Sequence, residues 1–134
     1  MATIKAFSDL EQSRKLADIL PLESADIWWS RCIITDFDDG VLKVSYAVEP
    51  CNISQFRNTK EDIPCWSLAA LLGVIPKHIK DYNVLRIDIS ESDFAMWYDE
   101  IGCGVNNELP DITMESAVDA CAAMIEKLHE LKML

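Results

Sequence analysis

The stretch IPCWSLAALLGVIP, Ile63–Pro76, is the densest apolar sequence in the chain and holds one of its four tryptophans. Ser67 is a good helix N-cap, because its hydroxyl can accept one of the backbone N–H groups that a first turn leaves unpaired. Leu68, Ala69, Ala70, Leu71 and Leu72 follow, all strong helix formers. Gly73 can take the positive φ that ends a helix, and Pro76 cannot continue one. The spacing therefore predicts a short helix from Ser67 to Leu72. A helix that is apolar nearly all round needs cover on several sides, so a core helix is favoured over a partner-binding one.

Working outward, 134 residues that are half apolar suit one folded domain, 1–134, with a substantial core. The longest apolar run, Leu68–Ile75, is too short to span a bilayer. The N-terminus carries no apolar signal region. These readings place the chain in the cytoplasm. Its five cysteines, Cys32, Cys51, Cys65, Cys103 and Cys121, form no CxxC and are expected as free thiols.

The net charge is −11. Residues 1–86 hold twelve acids and ten bases, whereas residues 87–126 hold ten acids and no Lys or Arg. Phosphate neutralisation needs basic side chains, so this asymmetry argues against direct nucleic-acid binding and against an anionic membrane surface.

Before the central stretch, Ser8-Asp9-Leu10-Glu11 reads as a capping box. Apolar residues at helical spacing then predict a helix over Asp9–Leu20, which Pro21 stops. Ile27–Phe37 is rich in β-branched and aromatic residues and reads as a strand. Asp39-Gly40 signals a two-residue hairpin turn. That turn sets a register in which Asp38 faces Val41, Phe37 faces Leu42, Ile33 faces Tyr46 and Arg31 faces Val48. A further short strand is expected near Ile53–Arg57. Asn52-Ile53-Ser54 matches a glycosylation pattern that a cytosolic chain does not use. Asp36–Gly40 resembles the start of a calcium loop, but Gly falls fifth and the twelfth residue is Ala47, so no metal site is expected.

After it, Lys77-His78-Ile79 reads as a helical turn. Val84–Ser90 alternates Leu85, Ile87 and Ile89 against Arg86, Asp88 and Ser90, as in a half-buried strand. Phe94–Ile101 is the next strand, with Trp97 and Tyr98 on opposite faces. Gly102-Cys103-Gly104 lacks the GxGxxG continuation of a phosphate loop and reads as a flexible connection. Thr113 is expected to cap a last helix, Met114–Lys132, with an apolar stripe from Ala117 to Leu131.

Pro64-Cys65-Trp66-Ser67-Leu68, with Ala70-Leu71-Leu72 and Ile75-Pro76, resembles the "PxWSLxALLxxxP" signature of a family of small proteins encoded in gut Bacteroides genomes and their phage-like mobile elements. Ser13–Trp28, Phe94–Tyr98 and the entry to the last helix at Met114 are similar to further segments of that family. Here Ser24-Ala25-Asp26-Ile27 stands where Thr-Ala-Asp-Met is usual, and the "WLLENGY"-type ending is missing. The family has no established activity or catalytic residues. The resemblance implies a fold and a mobile-element origin, and no mechanism.

No constellation points to chemistry. His78 and His129 have no ligand or triad spacing. Cys103, between two glycines, is the most exposed thiol candidate. Asp99 and Glu100 point to opposite faces of a strand, so they cannot flank one bond. No catalytic residue, cofactor or metal is expected. The adjacent Trp28 and Trp29 must point to opposite sheet faces, so one joins the core and the other needs cover. A homodimer closing over an open face would supply it. The candidate interaction surface is Trp28, Trp29, Trp97, Tyr98, Glu108 and Asp111. The expected fold is α+β: an antiparallel sheet of four to six strands, terminal helices on one face and a short central helix. The expected function is a non-catalytic interaction protein. The alternative is an acidic charge mimic that occupies a nucleic-acid-binding or defence protein, and a third reading is a small-molecule binder or enzyme with an unrecognised pocket.

Overall fold

The computed structural model describes residues 5–38, 41–50 and 63–134, with residues 30–38 and 41–50 described as backbone. The fold is α+β. Its helices are α1 (Leu10–Ala17), α2 (Leu68–Val74) and α3 (Ala117–Glu130), with a 3₁₀ turn at Leu22–Ser24. Its strands are β1 (Ile27–Asp38), β2 (Val41–Pro50), β3 (Ile63–Cys65), β4 (His78–Ile79), β5 (Asn83–Ile89), β6 (Phe94–Glu100), β7 (Gly104–Val105) and β8 (Ile112–Met114).

The strands divide over two antiparallel sheets. One runs β2-β1-β3; the other runs β4-β5-β6-β7, with β8 also paired to β6. The central stretch causes the division. Its first residues pair with β1, as Ile27 with Cys65 and Trp29 with Ile63. Ser67 then caps α2 by accepting the Ala70 N–H, as its sequence position predicts. Pairing with β1 stops at Cys65; the next residues pair with the N-terminal segment instead, in an antiparallel bridge between Phe7 and Ser67, before α2 begins.

α3 lies on the second sheet, against β6 and β8, while α1 packs on β3 and touches α3. Trp66, Leu16, Leu71, Tyr98, Met96 and the inner face of α3 form one contiguous core cluster. α2 buries only one side: Leu71 is fully buried, whereas Ala69 and Gly73 are exposed. Gly73 lies inside the helix with no positive φ, so the helix runs one turn-fraction further than expected and ends at Ile75 in extended backbone. Lys77 Nζ donates to the Leu72 and Ile75 carbonyls and satisfies that end.

Several boundaries differ from the sequence reading. The box at the start of α1 is formed by Asp9 and Gln12, not by Ser8 and Glu11. Ser8 is taken by the central stretch: its N–H donates to the Trp66 carbonyl at 2.9 Å, and its Oγ accepts the Trp66 N–H at 3.1 Å. Lys77-His78-Ile79 is not helical; His78–Ile79 forms β4. Thr113 is in a strand, and Ser116 caps α3 instead. In the β1–β2 hairpin Asp38 faces Val41 and Phe37 faces Leu42 as expected, but Ile33 faces Val44 and Arg31 faces Tyr46. An irregularity between Ile33 and Phe37 places two more residues on β1 than on β2 and shifts the register beyond it. The Asp39-Gly40 turn, the strand near Ile53–Arg57 and the Asn52-Ile53-Ser54 pattern lie outside the described residues.

Candidate interaction surface

In β6 the side chains alternate. Phe94, Met96 and Tyr98 are buried, and Ala95, Trp97 and Asp99 point the other way. Residues paired across an antiparallel ladder share a face. Leu85 pairs with Tyr98, Ile87 with Met96 and Ile89 with Phe94, so these three belong to the helix-covered face. Yet the core cluster reaches only the first of them. Leu85 is partly buried, while Ile87 is 41% and Ile89 73% exposed. The alternation in Val84–Ser90 is real, but the burial expected of its apolar half is lost at the far end.

The opposite face has no helix over it among the described residues. It carries Val84, Arg86, Asp88, Trp97, Asp99 and Val105. The Trp97 indole N–H donates to Asp99 Oδ1 at 2.9 Å, and Arg86 Nε donates to Asp99 Oδ2 at 3.3 Å. Asp99 thereby fixes the ring and the guanidinium side by side. Trp97 itself is partly buried, and Val105 is half exposed.

Among the described residues, six of the eight exposed large apolar side chains, Tyr82, Ile87, Ile89, Ile101, Val105 and Met114, belong to this sheet or its turns. Tyr82, Ile101 and Val105 gather at one end, where the Ile101 N–H donates to the Tyr82 carbonyl at 2.8 Å. Ile87 and Ile89 lie at the other.

The sequence-derived surface residues do not form one patch. Tyr98 is in the core, where its hydroxyl donates to the Pro76 carbonyl at 2.7 Å and burial pushes its pKa up to about 12. Trp29 packs edge-on against Phe7, ring centroids 5.8 Å apart, and its indole N–H reaches Ser13 Oγ at 3.1 Å. Its cover comes from its own chain. Trp28 is partly buried on the other side of β1, where it pairs with Pro64. Glu108 and Asp111 are exposed and flank the buried Leu109. The apolar end residues Ile101 and Val105 were missed, because a turn and a two-residue strand give too few positions for a periodic signal.

The acids of residues 87–126 are spread over both sheet faces, the loops and α3. Among the described residues, two are tied to cations: Asp99 to Arg86, and Asp119 to Lys5 at 2.7 Å. Lys5 also meets Asp9 at 2.9 Å. Burial acts to lower the Lys5 pKa, but its bonds to Asp119 and Asp9 outweigh this and hold it above the ordinary value.

Among the described residues, no group of three or more His, Cys, Asp or Glu side chains is arranged to hold a metal ion. Burial pushes the Cys65 thiol up and the Cys121 thiol up to about 11, so neither is an activated nucleophile. Cys103 is exposed between Gly102 and Gly104, both at positive φ. A cleft of about 410 Å³ between α1 and α3 is floored by Ala122 and Ala123 and rimmed by acids and lysines. No helix among the described residues is long and apolar enough to cross a membrane.

No protein-family model, curated protein or solved structure matches the chain.

Proposed function

We propose that this chain is a non-catalytic cytoplasmic interaction protein of mobile-element origin that docks protein partners through its five-stranded sheet. One observation carries the reading: among the described residues, exposed large apolar side chains concentrate on that sheet, six of eight, while α1 and α3 expose mainly polar residues. The group at one end, Tyr82, Ile101 and Val105, is the exposed apolar cluster that marks a contact surface. Asp99 adds pre-organisation, since Trp97 and Arg86, residue types enriched at interface centres, are already held in place.

The mobile-element part of the reading rests on the resemblance alone. Two of its segments meet in space: Asp26 accepts the Ser67 N–H at 2.9 Å and also the Ser67 hydroxyl, and Trp66 Nε1 donates to Ser24 Oγ at 2.9 Å. This contact supports treating them as one structural unit and carries no activity to the chain.

The test is a set of single substitutions, Ile101→Asp and Val105→Asp, which add no formaldehyde-reactive amine, in cells that express the protein. Both sites are exposed, so unfolding free energy should change by less than about 0.5 kcal/mol. Formaldehyde treatment should give a discrete higher-mass band for the parent chain and a weaker one for each variant. Bands of equal strength in all three would contradict the proposal.

A further inference from the structure

Among the described residues, β5 has one open edge. On its inner side it pairs with β6 along its whole length; on its outer side β4 pairs only with Asn83 and Val84. The Leu85 N–H donates outward to the Lys77 carbonyl at 2.9 Å, and the Ser90 N–H donates to the Asp93 carbonyl at 2.9 Å, on the hairpin side. Backbone groups alternate in direction along a strand, so those of Ile87 and Ile89 point outward. Among the described residues, no strand pairs with them.

The edge is self-complementary. Charges along it are segregated: the exposed Arg86, which engages Asp99 only through its Nε, and Lys77, whose Nζ closes the end of α2, lie toward one end, and Asp88, Glu91 and Asp93 lie toward the other. Two copies related by a two-fold axis would lay the acidic end of each against the basic end of the other. The exposed isoleucines alternate with the exposed charges, so an antiparallel pairing also sets isoleucine beside isoleucine on the helix side of the joined sheet.

We propose that a second copy of this chain adds to the outer edge of β5, with Ile87 facing the partner's Ile89 and Asp88 facing the partner's Asp88. In this register each Ile87–Ile89 pair exchanges both of its outward backbone hydrogen bonds. Arg86 lies diagonal to the partner's Asp88, within reach of a long side chain, and offsets the aspartate opposition. Centring the axis on Ile87 instead would put the partner's Ile89 opposite Leu85, where Lys77 already lies. Moving the axis outward to Ile89 would set Ile87 against the partner's Glu91 and lose the apolar pairing. The inference stands apart from docking through the Ile101 end, because it concerns a backbone edge rather than an exposed side-chain cluster.

A short edge contact belongs to the weak class of interfaces, so the association should depend on concentration. Sedimentation velocity of the purified full chain, from micromolar to millimolar concentrations, should show a monomer moving toward twice its mass. Asp88→Asn removes the aspartate opposition at an exposed site and should tighten the dimer about two- to fivefold. Ile89→Pro removes an outward N–H and should weaken it at least tenfold. A chain that stays monomeric throughout overturns the inference and leaves docking of other proteins to the cell-based test. A dimer indifferent to either variant overturns the edge register.

Discussion

The indole of Trp66 donates from Nε1 to Ser24 Oγ at 2.9 Å, and this bond joins the central stretch to the connection between α1 and β1. Trp66 has no exposed surface, so the bond gives the one polar atom of a fully buried ring its partner. Ser24 Oγ in turn donates to the Pro21 carbonyl at 2.6 Å. Trp66→Ala should cost about 3–5 kcal/mol through lost burial and a cavity. Ser24→Ala should cost about 1–2 kcal/mol, because it leaves the indole N–H unpaired. Urea melts measure both; a loss below about 1 kcal/mol for Trp66→Ala would place the ring outside the core.

Asp26 and Ser67 act on the same helix start. Ser67 caps α2, and Asp26 holds Ser67 through its N–H and its hydroxyl. Ser67→Ala should cost about 1 kcal/mol as a lost cap. Asp26→Ala should cost a similar amount, and the double variant should cost clearly less than the sum, because each change removes the same bond. Additive losses in a denaturant double-mutant cycle would show that the two side chains act separately.

The turn from β4 to β5 places Lys80 and Asp81 at φ 52° and 57°. Side chains other than Gly, Asn and Asp rarely adopt this region. Lys80→Gly should therefore be neutral or stabilising by up to about 1 kcal/mol, and Lys80→Val destabilising. The order Gly above Lys above Val in thermal melts checks the turn; Val matching Lys would contradict it.

Alkaline pH should unfold the protein. Burial raises Cys65, Cys121 to about 11 and Tyr98 to about 12, and the Lys5 ammonium is held above its ordinary value. Each of these groups binds its proton more tightly in the folded chain. The unfolded chain therefore loses protons first, and stability falls as pH rises. The contribution of Cys121 is whole below its ordinary value of 9.0 and is lost as pH rises toward about 11. Chemical melts from pH 7 to 11 should show the decline starting near pH 9, with a shallower slope for Cys121→Ala. A parent chain equally stable at pH 7 and 11 would refute the assignment.

Local signals in the sequence were read correctly where no distant partner competed. Ser67 caps α2, and the alternation in Phe94–Glu100 gives the buried and outward sets of β6. At one end of the β1–β2 pair Asp38 faces Val41 and Phe37 faces Leu42 as expected, whereas the register past Ile33 depends on an irregularity that no local signal specifies. Ser8 looked like a cap because its neighbours fit the pattern, but the backbone of Trp66, fifty-eight residues away, binds it first. Thr113 likewise fits a cap until β6 recruits it into β8. The surface was the least legible part. Alternation shows which residues of β5 share a face, but only the extent of the core cluster decides that Leu85 is covered and Ile89 is not.

Docking through the five-stranded sheet is tested most directly by placing a photo-cross-linking amino acid at Val105 or at Ile101, and at exposed Lys15 on α1 as a control. The chain would be irradiated in cells that express it, and the adducts separated by mass. The account predicts discrete adducts from Val105 and Ile101 and none from Lys15. Adducts from Lys15 alone, or none from either sheet position, would contradict it.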